Sequence, residues 1–281
     1  MKIKEALREA TTRLSTSLVG DTPSLDALLL LMHTTSLTKE KIYINYEEHL
    51  SEKEITEYEK LITQREQHTP LAHLLKHKDF YNHTFIVNEK TLIPRGDSEI
   101  AVDYALSLLD ENYPYKVLDL GTGSGILGIS IAALRPLVDL TLSDISFEAL
   151  AVASQNSRII LDKEVKTVQS SLFEALQKRA FHLIISNPPY LTQKWIADSS
   201  AEVQKEPHLA LFGGGEDGLD LIRTIIDQSP FHLKEGGHLI VECDYRQIDD
   251  VKTLFEKRGF KQVESQKDLG HKERIVAGKW I

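Results

Sequence analysis

The chain has 281 residues, of which 41% are hydrophobic and 27% charged, a globular composition that excludes disordered, collagenous and coiled-coil architectures. Acidic residues outnumber basic ones 42 to 33, a net charge of −9, which argues against a protein that lives on duplex phosphate. The single cysteine, Cys243, cannot form an intrachain disulfide. The start, Met1-Lys2-Ile3-Lys4-Glu5, has no apolar signal core and no apolar run reaches membrane-spanning length, so a soluble cytoplasmic protein with no membrane partner is expected.

The first seventy or so residues read as helices. Ile3, Ala6, Leu7, Ala10 and Leu14 recur at helical spacing. A second helix is predicted to start at Thr22-Pro23, with Thr22 as cap, and to carry Leu25 and Leu28 to Met32. Ser51 and Glu54 have capping-box spacing and open a third helix that runs to Gln67, with Ile55, Tyr58, Leu61 and Ile62 on one face. These make a small helical bundle. Lys2, Lys4, Arg8 and Arg13 read by default as a solvated helix face. The texture changes near Asp79. Phe80 to Val87 is aromatic and β-branched, Asn88-Glu89-Lys90 offers a turn, and Thr91 to Pro94 can return as a second strand.

Beyond Arg95, strands alternate with helices. The strand candidates are 116–120, 137–143, 165–169, 181–186, 238–242, 260–264 and 274–278. That is the pattern of an open, seven-stranded, mostly parallel α/β sheet. The stretch from Asn187 to Gly215 has little helical or strand pattern and reads as a substrate-flanking lid. His68, His73, His77 and His83 cluster, but no Cys or carboxylate set completes a metal site, and no metal is expected. Cys243 follows an apolar strand and reads as a small buried hydrophobe.

The first of those strands runs into Gly121-Thr122-Gly123-Ser124-Gly125 and then an apolar helix. Glycines there let a ligand approach the main chain, and a helix start favours a carboxylate or phosphate. The dinucleotide fingerprint fails, because its third glycine would fall at Ile126. G-x-G-x-G after Asp119-Leu120 is instead the pattern of S-adenosylmethionine methyltransferases. Asp144 ends the next strand and can accept hydrogen bonds from two ribose hydroxyls. Taken alone it could equally cap the helix from Phe147; the glycine loop before it favours the ribose.

A further apolar strand ends in Asn187-Pro188-Pro189-Tyr190. Asn187 offers a side-chain carbonyl and Pro188 a main-chain carbonyl. The prolines fix the local backbone. Two acceptors held apart can grip both hydrogens of a planar NH₂ group, and Tyr190 can stack on its plane. The expected target is an amide or exocyclic amine, activated by positioning and electrostatics with no strong base.

Asp119–Gly125 and Asn187–Tyr190 together resemble the Asn-Pro-Pro-Tyr class of S-adenosylmethionine-dependent methyltransferases. The whole chain resembles the PrmC/HemK family, which methylates the glutamine of the Gly-Gly-Gln motif in release factors. The resemblance includes the helical N-terminal region, Thr69 to Leu75, Phe80-Tyr81 and Leu92 to Glu99. It continues through Glu202-Val203, Glu206-Pro207, Ala210-Leu211, Gly214 to Leu219 and Leu269 to Arg274. It implies a Rossmann-like methyltransferase domain at 96–281, an N-terminal helical substrate-recognition domain at 1–78 and a β-hairpin linker at 79–95. It also implies that Gly121, Thr122, Gly123, Ser124 and Gly125 cradle the methionine part of S-adenosylmethionine, with Asp144 on its ribose, Leu172 at its adenine and Asn187 between cofactor and substrate. Asn187, Pro188, Pro189 and Tyr190 would hold the glutamine amide, with Arg95, Asp97 and Glu99 nearby.

The chain departs from the family pattern at several points. Gly96 stands where Pro is usual, Ser171-Leu172 where an Asp and an aromatic are usual, and Glu242-Cys243-Asp244 for Glu-Ile-Gly. Lys76 and Asn82 replace glycines. The acidic contact to the adenine amine is therefore expected to be missing. The resemblance implies a monomer acting on class 1 release factors, with S-adenosylhomocysteine as product and no direct nucleic-acid contact. The alternatives are a related enzyme acting on a large-subunit ribosomal protein, an adenine methyltransferase on nucleic acid, and a non-catalytic scaffold. Asp97 and Glu99 favour the release-factor branch. Three strands with their helices are expected to use most of the roughly ninety residues after Tyr190, which argues against the added target-reading domain that DNA methyltransferases generally need.

Overall fold

The computed structural model describes residues 1–17 and 19–281. The chain forms two compact units, one of Met1–His77 with Ser200–Lys205, the other of Lys78–Ser199 with Glu206–Ile281. The sequence marks a boundary near residue 78 but gives no sign of the short excursion at 200–205.

The first unit is helical: α1 (Ile3–Thr16), α2 (Pro23–Thr35), α3 (Lys39–Ile44), α4 (Glu52–Glu66) and α5 (Leu71–Leu75). The α1 stripe Ile3, Ala6, Leu7, Ala10 and Leu14 is buried against Leu30, Leu31, Tyr58 and Ile62. The capping box of α4 forms, with Ser51 N–H donating to Glu54 Oε2 at 2.8 Å and Glu54 N–H to Ser51 Oγ at 3.3 Å. Thr22 precedes α2 as expected, but its hydroxyl donates to Asp26 Oδ1 at 3.2 Å instead of capping the helix. Arg13 is not a free surface charge. Its guanidinium bonds to Glu59, Thr63 and Glu66 of α4.

The hairpin strands are β1 (His77–Phe80) and β2 (His83–Ile86). The sequence placed a turn at 88–90 and a return strand at 91–94; the turn forms, but the hairpin does not close there and no strand follows at 91–94. The chain reverses at Tyr81-Asn82, both in the left-handed region (φ 47° and 62°), the conformation that two-residue hairpins need. Residues 88–91 form a separate turn, Thr91 N–H donating to the Asn88 carbonyl at 3.1 Å. Phe80 and Phe85 are buried in a core cluster with Ala101 and Val102, so the hairpin is packed in.

The remaining elements are α6 (Glu99–Leu108), β3 (Lys116–Leu120), α7 (Ile126–Leu134), β4 (Asp139–Asp144), α8 (Phe147–Leu161), β5 (Lys166–Gln169), β6 (Phe181–Ser186), α9 (Gln193–Ala197), α10 (Asp220–Gln228), β7 (Leu233–Glu242), α11 (Ile248–Arg258), β8 (Lys261–Lys267) and β9 (Glu273–Lys279). The strands form a seven-stranded sheet of order β5-β4-β3-β6-β7-β9-β8, with β9 antiparallel to both neighbours and the other pairs parallel. Each buried strand feeds two cores by simple alternation. Leu183 and Ile185 of β6 join the cluster of α6, α7 and α8, while Ile184 joins that of α10 and α11. The chain winds outward from β3 through β4 and β5, then returns to β6 on the other side of β3. That reversal opens a crevice at the carboxyl ends of β3 and β6. The stretch after β6, expected to lack regular structure, contains α9, whose first turn is capped by Thr192 Oγ1 accepting from Trp195 N–H at 3.1 Å.

Candidate active site

The glycine loop owes its shape to the aspartate two positions before it. Asp119, near the end of β3, is fully buried, and its Oδ2 accepts from Thr122 Oγ1 at 2.6 Å and Gly128 N–H at 2.9 Å. A Cβ on Gly128 would lie 2.9 Å from that of Asp119, so only glycine lets α7 close on β3 here. Burial pushes the Asp119 carboxyl up to about 6, against these two hydrogen bonds, and the nearby Asp144 adds to the rise.

Asp144, at the end of β4, faces the loop. Its Oδ2 accepts from Gly123 N–H at 2.8 Å and its Oδ1 from Ser146 N–H at 2.9 Å. Burial raises its pKa while these N–H groups oppose the rise. The alternative role of helix cap falls instead to Ser146, whose Oγ accepts from Ala149 N–H at 3.1 Å. Asn156 of α8 was not singled out by its sequence. Fully buried, it donates to the carbonyls of Ser124 at 2.8 Å and Ile86 at 2.9 Å, and accepts from Ile86 N–H at 2.7 Å, tying loop and hairpin together.

At the end of β6, Ser186 Oγ donates to the Leu120 carbonyl at 2.7 Å, fixing the level of β6 against β3. Asn187 then projects at the crevice, and its Nδ2 donates to Ser98 Oγ at 3.2 Å. Pro188 and Pro189 line the cavity beside it, but Tyr190 does not. Its ring packs against the core of α10 and α11. Burial raises the Tyr190 pKa, and the neighbouring Glu242 adds to this. The Tyr190 main chain is gripped. Gln247 Nε2 donates to its carbonyl at 2.9 Å and to that of Asp217 at 2.7 Å. A Cβ on Gly213 would meet the Gly218 carbonyl oxygen at 2.0 Å, which is why the chain there is glycine-rich.

The cavity encloses about 520 Å³, within the range of small-molecule sites. It is lined by Thr91 to Arg95, Gly121 to Ser124, Asp144 to Ser146, Ser170 to Leu172 and Asn187 to Pro189, with Leu221 and Ile225 adding an apolar wall. Nothing lies within 4 Å of where a Cβ would sit on Gly121 or Gly123, so a ligand has open room against that main chain. Gly125 does not line the cavity. A Cβ there would lie 2.5 Å from Ile129 Cδ1, so its part is helix packing. Arg95 lines the wall and pairs with the buried Glu206, which also accepts from Ile93 N–H at 2.9 Å. Asp97 and Glu99 are occupied structurally. Asp97 pairs with Arg274 at 2.7 Å, and Glu99 Oε1 accepts from Tyr81 N–H at 3.0 Å. Open glycine main chain, a ribose-competent carboxylate and an apolar slot at Leu172 fit a nucleoside joined to an amino acid. The carboxyls of Asp119 and Asp144 in the cavity wall suit a ligand carrying positive charge.

Residues 86–216 match the family model described as the methyltransferase small domain, and residues 5–75 match the PrmC N-terminal domain. The chain is 33% identical to the release factor glutamine methyltransferase of Escherichia coli K12, covering 100% of this chain and 99% of that protein. It is 34% identical to a bifunctional methyltransferase of Rickettsia typhi, where it spans 98% of its own length but only 56% of the relative's. The solved hMettl16 catalytic domain in complex with an RNA hairpin shares the fold, with a TM-score of 0.57 at 14% identity over 70% of this chain and 75% of that one. Among the described residues no helix is long and apolar enough to cross a membrane.

Proposed function

The chain belongs to the release factor glutamine methyltransferase (PrmC/HemK) family, and from that premise we propose that it methylates the side-chain amide nitrogen of the Gly-Gly-Gln glutamine in class 1 release factors. The observation that carries this reading is the placement of Asn187 in one cavity with the open glycine loop and Asp144. Bound there, S-adenosylmethionine supplies an electrophilic methyl on a sulfonium. Gly121 to Ser124 take its amino-acid part, Asp144 its ribose hydroxyls and Leu172 the face of its adenine.

Asn187 Oδ1 and the Pro188 carbonyl accept the two hydrogens of the substrate amide. Held so, the amide nitrogen would be positioned to take the methyl: its N–C bond forms as the S–CH₃ bond breaks, S-adenosylhomocysteine leaves, and one amide proton passes to solvent. The work is orientation and electrostatics. Tyr190 contributes by anchoring the main chain after Pro188, and Arg95 borders the side where substrate enters. The helical unit supplies protein recognition. The reading further includes a cytoplasmic monomer with no nucleic-acid partner, in keeping with the charge of −9.

The test is mass spectrometry of a purified class 1 release factor incubated with the protein and S-adenosylmethionine. One added methyl on the Gly-Gly-Gln glutamine is expected, absent with Asn187→Ala enzyme and absent when that glutamine is changed to Ala. A methyl on another residue, or none with S-adenosylmethionine binding intact, would transfer the reading to a ribosomal-protein or nucleic-acid substrate.

A further inference from the structure

Glu242 is the last residue of β7 and is 2% exposed. Ser186 of β6 lies opposite Val241 of β7, so the next residue on each strand, Asn187 and Glu242, emerge side by side at the same sheet end. Ser98, fully buried in the turn before α6, stands with both. Its Oγ accepts from Asn187 Nδ2 at 3.2 Å. Glu242 Oε2 has no hydrogen-bond partner among the described residues. A buried carboxyl with a spare oxygen costs stability, and such groups call for a reason. The residues facing Glu242 are Arg274 of β9, Asp97 in the turn before α6, and Tyr190 and Asn187 after β6. Burial drives its pKa up to about 7, with hydrogen bonding from Ser98 and Asn187 and the charge of Arg274 pulling the other way.

An asparagine amide has nearly the same shape whichever way it is turned, and its partners decide which end faces outward. Ser98 alone does not decide, because a hydroxyl can donate to Oδ1 or accept from Nδ2. An ionised carboxylate can only accept. Beside Glu242, the Ser98 hydroxyl hydrogen is drawn to the carboxylate, which leaves its lone pair for Asn187 Nδ2. We propose that Glu242 is a positioning residue that fixes the Asn187 amide, with its NH₂ turned toward Ser98 and its Oδ1 presented to the substrate amide. This inference rests on the methyl-transfer reading for its catalytic consequence, but not for its structural one. When Glu242 is protonated it can donate as well as accept, and the preference is lost. The amide grip is then set only above the pH at which Glu242 ionises.

Two measurements on the full chain test this. The first needs no substrate: the side-chain amide ¹⁵N and ¹H signals of Asn187, in asparagine-labelled protein, followed from pH 5 to 9. They are expected to titrate near neutrality in the wild type and to stay flat in Glu242→Gln. The second is steady-state turnover of release factor. Glu242→Gln is expected to lower kcat at least tenfold at pH 8 and to remove the acid limb of the kcat profile, with KM for the protein substrate within about twofold. Ser98→Ala is expected to lower kcat similarly and to show no further loss when combined with Glu242→Gln. Identical Asn187 titration in Glu242→Gln and wild type, or an unchanged kcat at pH 8, would overturn the proposal. A Glu242-dependent titration in a protein that methylates no release factor would leave the positioning role standing and overturn the substrate reading instead.

Discussion

The Gly123 N–H donates to Asp144 Oδ2 at 2.8 Å, so the carboxylate expected to receive the ribose also holds the glycine loop in shape. Binding and loop geometry are thereby coupled through one side chain. Asp144→Asn keeps the volume but replaces one acceptor oxygen with a donor and removes the charge. Charge-assisted hydrogen bonds of this kind contribute about 1.5–3 kcal/mol, so S-adenosylmethionine affinity should fall roughly 10- to 100-fold. Calorimetric titration checks this. Unchanged affinity would remove Asp144 from the cofactor site.

Gly218 sits at φ 75°, and a Cβ there would lie 2.3 Å from the Tyr190 carbonyl oxygen. Gly218→Ala must therefore push apart the main chain that follows the two prolines. A loss of about 2 kcal/mol or more is expected, with reduced kcat, because Tyr190 continues the segment that carries Pro188. Gly96→Ala is the contrast, since nothing lies within 4 Å of the added carbon. It should change stability by under about 1 kcal/mol. Thermal melts of the two variants would show the difference directly.

Glu242 carries a pH signature in stability as well. Its folded pKa of about 7 stands above its ordinary value of 4.5. A raised folded value means that the native state holds the proton more tightly than the unfolded chain. The stability this contributes is complete below 4.5 and is lost as pH rises through about 7. Glu242→Gln has no proton to lose, so its melting temperature relative to wild type should climb between pH 4.5 and 8. The shift corresponds to a difference on the order of 3 kcal/mol. A constant difference across that range would mean that Glu242 is not the titrating group.

In the helical unit, Arg65 is the most consequential charge. It is 3% exposed, its Nε donates to the equally buried Asp26 at 2.7 Å, and a second nitrogen donates to Glu202 at 2.7 Å. Arg65→Met would strand the Asp26 carboxylate in the interior, at a cost of about 3–5 kcal/mol. Glu202 is partly exposed, so Glu202→Gln should cost under about 1 kcal/mol. Chemical denaturation of both variants checks the ranking, and equal losses would mean that the Glu202 contact carries more than its exposure allows.

Much of this protein is legible in one dimension. Helical stripes such as Ile3 to Leu14, the Ser51–Glu54 capping box and the apolar strands from Lys116 onward are local patterns, set by periodicity and by backbone caps within a few residues. The glycine loop and Asn-Pro-Pro-Tyr are local too, because a ligand approaching the main chain needs special backbone at contiguous positions. The hairpin was misplaced because the signal at Tyr81-Asn82 is weak: neither residue is glycine, yet both adopt positive φ. Its true register is enforced by Phe80 and Phe85 packing into the core and by Asn156, seventy positions after Ile86.

What the sequence by itself determined is the class of fold and the place of the glycine loop and of the Asn-Pro-Pro-Tyr turn at its strand ends. What only the tertiary structure decided is which of those residues face the cavity and which support them. Gly125 and Tyr190 stand within the motifs but pack into cores, whereas Ser98, Glu206, Glu242 and Gln247 reach the site from distant strands and turns. The reason is physical. A backbone conformation is written in neighbouring residues, but a buried polar group is satisfied by whichever partner the fold brings alongside it, and those partners lie 57 (Gln247 and Tyr190), 89 (Ser98 and Asn187) and 111 (Arg95 and Glu206) positions apart in sequence.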